Sequence, residues 1–263
     1  MRALVLTISL LFTGPVLAKP VATPLNWDYE GTNFSGYVIY DDASDAIRPG
    51  LAMVPNWMGV NDSAIEKAKL IAGTKYVVLL VDMYGVGVRP TDFKSASAAA
   101  GAVYADPGQM RGRIAKAVEV LRAQAGKAPL DSERVGAIGF CFGGSTVLEL
   151  ARSGATVAGV VSFHGGLKTS IRAGEGDIRT PILVLNGAAD TNVSAEDIAA
   201  LTTEMDAAGA EWELVNFPGA HHCFAEADAN SPPNCLYHAP SAKRAYELMH
   251  EFFDQQFKQS EGE

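Results

Sequence analysis

The sequence predicts an α/β fold, in which a mostly parallel, doubly wound sheet carries an antiparallel hairpin at its N-terminal side. First, short runs of β-forming residues alternate with segments of helical periodicity from residue 51 onward. Second, several of these runs are apolar throughout, as in parallel strands that helices cover on both faces. Third, residues 139–144 form a glycine-rich turn between a strand pattern and a helix pattern.

The N-terminal part of the chain supplies the hairpin. Residues 25–30 and 34–40 are rich in β-forming side chains, and Gly31-Thr32-Asn33 between them is a turn signal. A polar, turn-rich stretch follows the hairpin. The remaining strands are expected at residues 51–55, 76–82, 134–138, 157–163, 181–186 and 212–217.

Helices are expected where apolar residues recur every three or four positions. The first should end near residue 72 and be capped by Asp62 or Ser63, with Glu66 completing a capping box with Ser63. The connection 83–106 contains an alanine- and serine-rich piece, and its length indicates a functional loop. The other helices are expected at residues 107–125, 145–152, 194–208 and 241–257.

Composition limits the partners of the chain. Its 263 residues are 48% hydrophobic, which is enough for one large domain with a sizeable core. The net charge of −9 is spread along the chain without a basic stripe, which argues against nucleic acid and against anionic membrane surfaces as partners. We expect one folded domain over residues 19–263, as a monomer or weak dimer.

The first 18 residues have the pattern of a secretory signal peptide. Arg2 precedes a short apolar run, Gly14-Pro15 breaks it, and the small residues at 16 and 18 fit a cleavage site after Ala18. The run is too short to span a bilayer. The alternative is a buried N-terminal strand. We expect a signal peptide over residues 1–18 and export, to a bacterial periplasm.

The glycine-rich turn is a candidate nucleophile site. Gly139-Phe140-Cys141-Phe142-Gly143-Gly144 contains G-x-C-x-G, the nucleophile elbow of the α/β-hydrolase fold with cysteine in place of the more usual serine. Glycines are needed there because the nucleophile sits in a strained, crowded turn. The amino end of the following helix favours the thiolate of Cys141. The alternative is a buried cysteine in an ordinary strand–helix junction.

An acid and a base follow the elbow in the chain order that such hydrolases use, which is nucleophile, acid, histidine. Asp190 comes directly after the strand at 181–186, and His221 and His222 follow the strand at 212–217. Only one of the two neighbouring histidines can face the thiol. His164 is a rival that fits the order poorly, and the other two histidines, His238 and His250, fit structural or surface positions.

The three cysteines are interpreted in the light of export. With Cys141 in the elbow, Cys223 and Cys235 are the natural disulfide pair, and they enclose a short segment with Pro232-Pro233. Cys141 then remains a free thiol. No Cys/His spacing typical of a metal site occurs, so neither a metal nor another cofactor is expected.

Together these segments resemble the dienelactone hydrolase family over nearly all of the mature chain. The resemblance rests on residues 139–144, on Asn186-Gly187-Ala188-Ala189-Asp190 and on residues 218–224. In the family the catalytic histidine lies two residues before a phenylalanine, here Phe224, which implies His222. The family also implies an oxyanion hole formed by the backbone N–H groups of Trp57 and Phe142.

The chain departs from the family pattern at two places. The best-known members carry a glutamate that helps to control thiol protonation where this chain has Asn56. They also carry an arginine for a substrate carboxylate where this chain has Glu226, which would repel that group. Arg89 is the only nearby cation that could substitute. The substrate-pocket candidates are Asn56, Met58, Tyr84, Arg89, His164, Phe224 and Glu226.

The resemblance and the residues together imply hydrolysis of a small-molecule ester or lactone, with Cys141 as nucleophile, His222 as base, Asp190 as its orienting acid and a thioester intermediate. Two alternatives belong to other classes. One is a redox-active thiol protein on a hydrolase scaffold. The other is a non-catalytic protein that keeps the pocket for a small ligand.

Overall fold

The computed structural model describes residues 19–259. Its main sheet consists of β1 (Pro20–Tyr29), β2 (Thr32–Asp41), β3 (Arg48–Val54), β4 (Val77–Leu80), β5 (Leu130–Phe140), β6 (Val160–Phe163), β7 (Ile182–Gly187) and β8 (Trp212–Phe217). The helices are α1 (Asp62–Ala72), α2 (Phe93–Tyr104), α3 (Pro107–Arg122), α4 (Phe142–Arg152), α5 (Ala195–Ala208) and α6 (Ala239–Gln259). A separate hairpin pairs two strands of two residues each, β9 (Asn230–Ser231) and β10 (Cys235–Leu236).

The eight strands lie in the order β1-β2-β4-β3-β5-β6-β7-β8. β1 and β2 form an antiparallel hairpin, β2 pairs antiparallel with β4, and all pairs from β4 to β8 are parallel. Glu30 and Gly31 both have positive φ at the hairpin turn, which matches the twist of the strands. The predicted fold class is confirmed.

Both faces of the sheet are covered. Alternate residues of a strand point to opposite faces, so that Leu51 and Met53 of β3 join a core under α1 and α6, whereas Ala52 and Val54 join a core with α3, α4 and α5. The central strands are therefore apolar throughout, as predicted. In open α/β sheets of this kind, ligand-binding and catalytic side chains lie at the carboxyl ends of the parallel strands.

The structure corrects two predictions on helices. Residues 93–104, expected inside a long connection, form α2, capped by the Asp92 side chain, which accepts from the amide of Ser95. The N-cap of α1 is Asn61, whose side chain accepts from the amide of Ala64, so the predicted cap at residue 62 or 63 is wrong. The Ser63 hydroxyl donates instead to Asp228, a contact between distant segments that a capping motif cannot reveal.

One prediction lies outside the part of the chain that the structure describes, and two absences can be stated within that part. The predicted signal peptide, residues 1–18, lies outside the described residues. Within residues 19–259, no helix combines the length and the apolar character that crossing a bilayer requires. The same range contains no group of three His, Cys, Asp or Glu side chains arranged to hold a metal ion.

Candidate active site

Cys141 lies in the turn that joins β5 to α4. Its φ of 54° and ψ of −115° are strained for a residue with a Cβ. Its amide donates to the carbonyl of Phe163 at 3.0 Å, which ties the turn to β6. A Cβ on Gly139 would collide with the backbone of Gly143, and one on Gly143 would collide with the carbonyl of Val54. The glycines therefore allow three backbone segments to pack around the thiol.

Asp190 follows the end of β7 in a tight turn, in which its amide donates to the carbonyl of Gly187 at 3.0 Å. The side chain is buried, with 4% of the residue exposed. One carboxylate oxygen, Oδ1, accepts from the amide of Asn192 at 2.8 Å. The other, Oδ2, lies 2.6 Å from Nδ1 of His222. These bonds fix the carboxylate against the imidazole.

His222 follows β8 and connects the other two groups. Its Nδ1 meets Asp190, and its Nε2 lies 3.0 Å from Sγ of Cys141. Burial opposes a charge on this ring, but the hydrogen bonds to Asp190 and Cys141 outweigh it and raise the pKa of His222 to about 10. The imidazole therefore holds a proton at neutral pH, placed between a carboxylate and a sulfur.

The other histidines have different surroundings. His164 is fully buried at the end of β6, and its ring meets that of His222 edge to face with centroids 5.1 Å apart. Burial, the charge on His222 and the charge on Lys67 hold the pKa of His164 well below its usual range. His164 is therefore a neutral packing partner of the base. His250 stacks on Tyr76, and His238 meets Ser241, both away from the thiol.

A cavity of about 530 Å³ opens beside Cys141 and His222. Of the predicted pocket residues, Asn56, Met58 and Glu226 line it, together with Trp57. The ring of Phe93 from α2 stacks on Trp57 with centroids 5.6 Å apart and forms part of the wall. The opposite wall is the segment between Cys223 and Cys235.

The remaining predicted pocket residues lie behind this lining. The hydroxyl of Tyr84 donates to the carbonyl of Trp57 at 2.8 Å, and Phe224 is fully buried against His164. Arg89 is paired with Asp82 at 3.1 Å and donates to backbone carbonyls. Arg89 is thus bound to Asp82, to its own loop and to the carbonyl of Ser35 on β2, and it does not lie among the described residues that line the cavity.

Glu226 is buried at the cavity and has a partner that the sequence did not indicate. Its Oε2 accepts from Nδ2 of Asn56 at 2.6 Å and is paired with the ammonium of Lys67. Nε2 of His164 lies 3.7 Å from the other oxygen, Oε1. Lys67 comes from α1, 159 positions away in the chain. No local motif marks Lys67, because its partner belongs to a distant loop.

A second cavity, of about 570 Å³, is lined by Lys67, Leu70, Ala225 and Tyr246 among others. The pair between Lys67 and Glu226 stands between the two cavities, because Glu226 lines one and Lys67 the other. Cys141 and His222 line the first cavity, of about 530 Å³, and neither lines the second. We therefore assign the candidate active site to the first cavity.

The predicted disulfide between Cys223 and Cys235 is formed, with Cα atoms 5.0 Å apart. Cys141 is the free cysteine of the described chain. The disulfide lies directly after His222. Asn234 is the neighbour of Cys235 in the chain, and its side chain contacts the turn that carries Asp190. The sequence did not indicate this residue.

Comparisons with known proteins show which family the chain resembles. The sequence profile of the dienelactone hydrolase family matches residues 34–257. A candidate carboxymethylenebutenolidase from Salmonella typhimurium is 26% identical over 242 residues, which cover 86% of this chain and 84% of that protein.

Two solved structures superpose closely on the chain. The protein m3DLH is 31% identical with a TM-score of 0.84, covering 90% of this chain and 99% of that one. The dienelactone hydrolase-like promiscuous phosphotriesterase P91 from metagenomic libraries is 32% identical with a TM-score of 0.81, covering 90% and 98%. The profile match over most of the chain and these two structures lead to one assignment. The chain belongs to the dienelactone hydrolase family, a family of hydrolases with the α/β-hydrolase fold.

Proposed function

We propose that the protein hydrolyses small carboxylic esters or lactones, with Cys141 as the nucleophile. One observation carries the proposal: Nε2 of His222 lies within hydrogen-bonding distance of the sulfur, while Nδ1 of the same ring is held by Asp190. A base that is oriented by a carboxylate and aimed at a nucleophile is the arrangement that acyl transfer requires.

In the first half of the reaction, the thiolate of Cys141 attacks the carbonyl carbon and a C–S bond forms. The carbonyl electrons move to the oxygen, and we assign the stabilisation of this oxyanion to the backbone N–H groups of Trp57 and Phe142. The amide of Phe142 is at the first position of α4 and has no acceptor within the helix. One such donor contributes roughly 3–4 kcal/mol to the transition state in known cases. The C–O bond then breaks, and His222 gives its proton to the leaving alkoxide.

In the second half, His222 is neutral and takes a proton from water, whose oxygen attacks the thioester carbon. The C–S bond breaks, the carboxylic acid leaves, and the proton returns to the pair of Cys141 and His222. Asp190 keeps the same imidazole orientation in both halves. The name of the Salmonella relative, a carboxymethylenebutenolidase, supports lactones as one substrate class.

Two other functions would leave the same fold. A redox-active thiol protein would react rapidly with peroxide at Cys141, and a non-catalytic binding protein would retain a ligand unchanged. Neither would turn over an activated ester. Redox chemistry at a thiol does not require a carboxylate-oriented histidine, so the hydrogen bonds of His222 favour hydrolysis.

The test is hydrolysis of p-nitrophenyl acetate by the mature protein, run beside Cys141→Ala, His222→Ala and the matched control His221→Ala. We expect a burst followed by turnover in the wild type, loss of both in the first two variants, and retention of both in the control. Full activity of Cys141→Ala would remove the mechanism. An inactive wild type with a titratable Cys141 thiol would leave the redox alternative, which peroxide reactivity then tests.

The charges at the cavity favour uncharged substrates. Glu226 and Asp228 are its acidic lining residues, and no Lys or Arg lies among the described residues that line it. The ammonium of Lys67 is paired with Glu226 from the other side, which leaves it unavailable as a carboxylate-binding group. A substrate carboxylate near Glu226 would be repelled, by on the order of 1 kcal/mol or more at about 4 Å.

We therefore predict that p-nitrophenyl hexanoate reacts with a kcat/KM at least about tenfold higher than its mono-p-nitrophenyl adipate counterpart, which has the same chain length and a terminal carboxylate. Glu226→Gln should narrow this ratio, whereas Glu66→Gln, at an exposed acid on α1, should leave it unchanged. Equal kcat/KM for both esters in the wild type would contradict the charge argument.

A further inference from the structure

The segment around Asn234 contacts both the acid and the base of the site. We propose that Asn234 is a positioning residue for Asp190, and that the disulfide between Cys223 and Cys235 holds Asn234 and His222 in register with it. The inference rests on the proposed function, because it assigns a supporting role to residues around the proposed catalytic groups.

The side chain of Asn234 spans the turn that carries the acid. Its Oδ1 accepts from the amide of Thr191 at 3.1 Å, and its Nδ2 donates to Oδ1 of Asp190 at 3.5 Å. Oδ1 of Asp190 is the carboxylate oxygen that does not contact His222. Asn234 therefore adds a second, longer contact to the carboxylate oxygen that the amide of Asn192 already holds at 2.8 Å.

The backbone next to Asn234 fixes the base. The amide of Leu236 donates to the carbonyl of His222 at 3.0 Å, and Cys235 forms an isolated bridge with His222. Three consecutive residues thus reach the acid through a side chain and the base through the main chain. In this proposal, both attachments keep Nδ1 of His222 at 2.6 Å from Oδ2 of Asp190.

The disulfide closes this arrangement covalently. It joins Cys235, the neighbour of Asn234, to Cys223, the neighbour of His222, across 12 positions. Cys223 has a φ of 61°, which a residue with a Cβ adopts only where its surroundings hold it. Within the loop, β9 and β10 have two residues each, and the amides of Tyr237 and His238 donate to the carbonyls of Ala229 and Phe224 at 3.1 Å. Without the S–S bond, we expect the segment to move away from Asp190.

The loop lies outside both apolar cores except at its beginning, where Cys223, Phe224 and Ala225 are buried. From Asn230 to Asn234 the chain is exposed or half-buried. Loss of the contacts of Asn234 should therefore affect alignment of the site more than the stability of the sheet. This separates a positioning role from a purely structural one.

The decisive variant is Asn234→Asp, compared with Asn234→Ala. Aspartate keeps the size of the side chain and an acceptor for the amide of Thr191, but it replaces the donor to Asp190 by a second negative charge. With p-nitrophenyl acetate we expect both variants to lower kcat roughly tenfold to a hundredfold with little change in KM, and Asn234→Asp to be at least as impaired as Asn234→Ala. The exposed Asn26→Ala on β1 is the control and should match the wild type.

The disulfide is tested in the same assay. Dithiothreitol gives two electrons to the S–S bond, which yields two protein thiols, and the reagent closes into its cyclic disulfide. The thiol of Cys141 is unchanged by it. After the reagent has been removed under anaerobic conditions, because its thiols would themselves accept the acetyl group, we expect kcat of the wild type to have fallen. The double variant Cys223→Ser/Cys235→Ser should have the same low kcat before and after this treatment.

The outcomes separate the two proposals. A wild-type kcat in Asn234→Asp, with an unchanged pH profile, would overturn the role of Asn234. An unchanged kcat in fully reduced, folded wild type would overturn the role of the disulfide. If the double variant does not fold, Asn234→Asp and the reduced wild type decide. Activity that persists in Cys141→Ala would instead reject the proposed function.

Discussion

At the scale of single residues, the imidazole of His222 connects the sulfur of Cys141 to the carboxylate of Asp190. Its proton is retained because two partners that accept it lie on either side, and together they outweigh the cost of burial. The neutral ring of His164 packs against it without adding a second positive charge. The imidazole of His222 therefore holds a proton beside the sulfur of Cys141.

The raised pKa of His222 predicts an alkaline limit to activity. Since that pKa is about 10, kcat for an ethyl ester should fall as the pH rises through about 10, because the leaving alkoxide then has no proton donor. Asp190→Asn removes the carboxylate that raises the pKa, so the fall should move to lower pH. The measurement is kcat against pH for both proteins.

A p-nitrophenyl ester is the control for this profile, because its phenolate leaves without a proton and should show a weaker fall. The folded state needs its own check. The stabilisation from the charged imidazole is complete below the ordinary pKa of 6.5 and is lost as the pH rises through about 10. Circular dichroism over the same range separates unfolding from deprotonation. An identical alkaline fall in Asp190→Asn would contradict the assigned role of the carboxylate.

The sequence indicated Cys141, Asp190 and His222 because each follows a strand. Hydrolases of this fold also use a fixed chain order of nucleophile, acid and histidine. The sequence did not indicate Lys67 or Asn234. Their partners, Glu226 and Asp190, are 159 and 44 positions away, and no periodicity or spacing rule relates side chains at such separations. Contacts of this kind depend on how loops meet above the sheet.

At the scale of elements, the elbow depends on the close approach of α4 to β5 and β3. The glycines at 139 and 143 make this possible, since their missing Cβ atoms leave room for neighbouring carbonyl groups. Element boundaries followed local signals well where caps and apolar runs were strong, as for α5 and β8. They failed for α2, because between Phe93 and Val103 its sequence is almost entirely alanine, serine and glycine and offers no stripe of large apolar side chains.

Gly143→Ala should destabilise the protein, because the new Cβ would meet the backbone carbonyls of Val54 and Pro55. We expect a loss of about 1–3 kcal/mol in the free energy of unfolding, together with lower kcat. The control is Gly101→Ala in α2, where nothing lies within 4 Å of the added atom. That change should raise stability by about 0.5–1 kcal/mol. Urea unfolding of both variants checks the opposite signs, and a neutral Gly143→Ala would contradict the packing argument.

At the scale of the whole molecule, the parallel sheet brings the chemistry together. β5, β7 and β8 end at the same edge, so that Cys141, Asp190 and His222 meet although 81 positions separate the first from the last. The hairpin β1–β2 lies at the far edge of the sheet. The fold class could be predicted because alternating elements and buried strands leave few arrangements. The cavity could not, because its walls come from α2 and from the loop after Cys223.

The most direct test of Cys141 as the nucleophile is detection of the acylated enzyme. Protein comprising residues 19–263 is mixed with p-nitrophenyl acetate, quenched in acid within the burst, and analysed by intact mass and peptide mapping. We predict one acetyl group, on the peptide that contains Cys141, and none on the corresponding peptide of Cys141→Ala. Turnover of the ester with no acyl group at Cys141, or with the group on another residue, would contradict it.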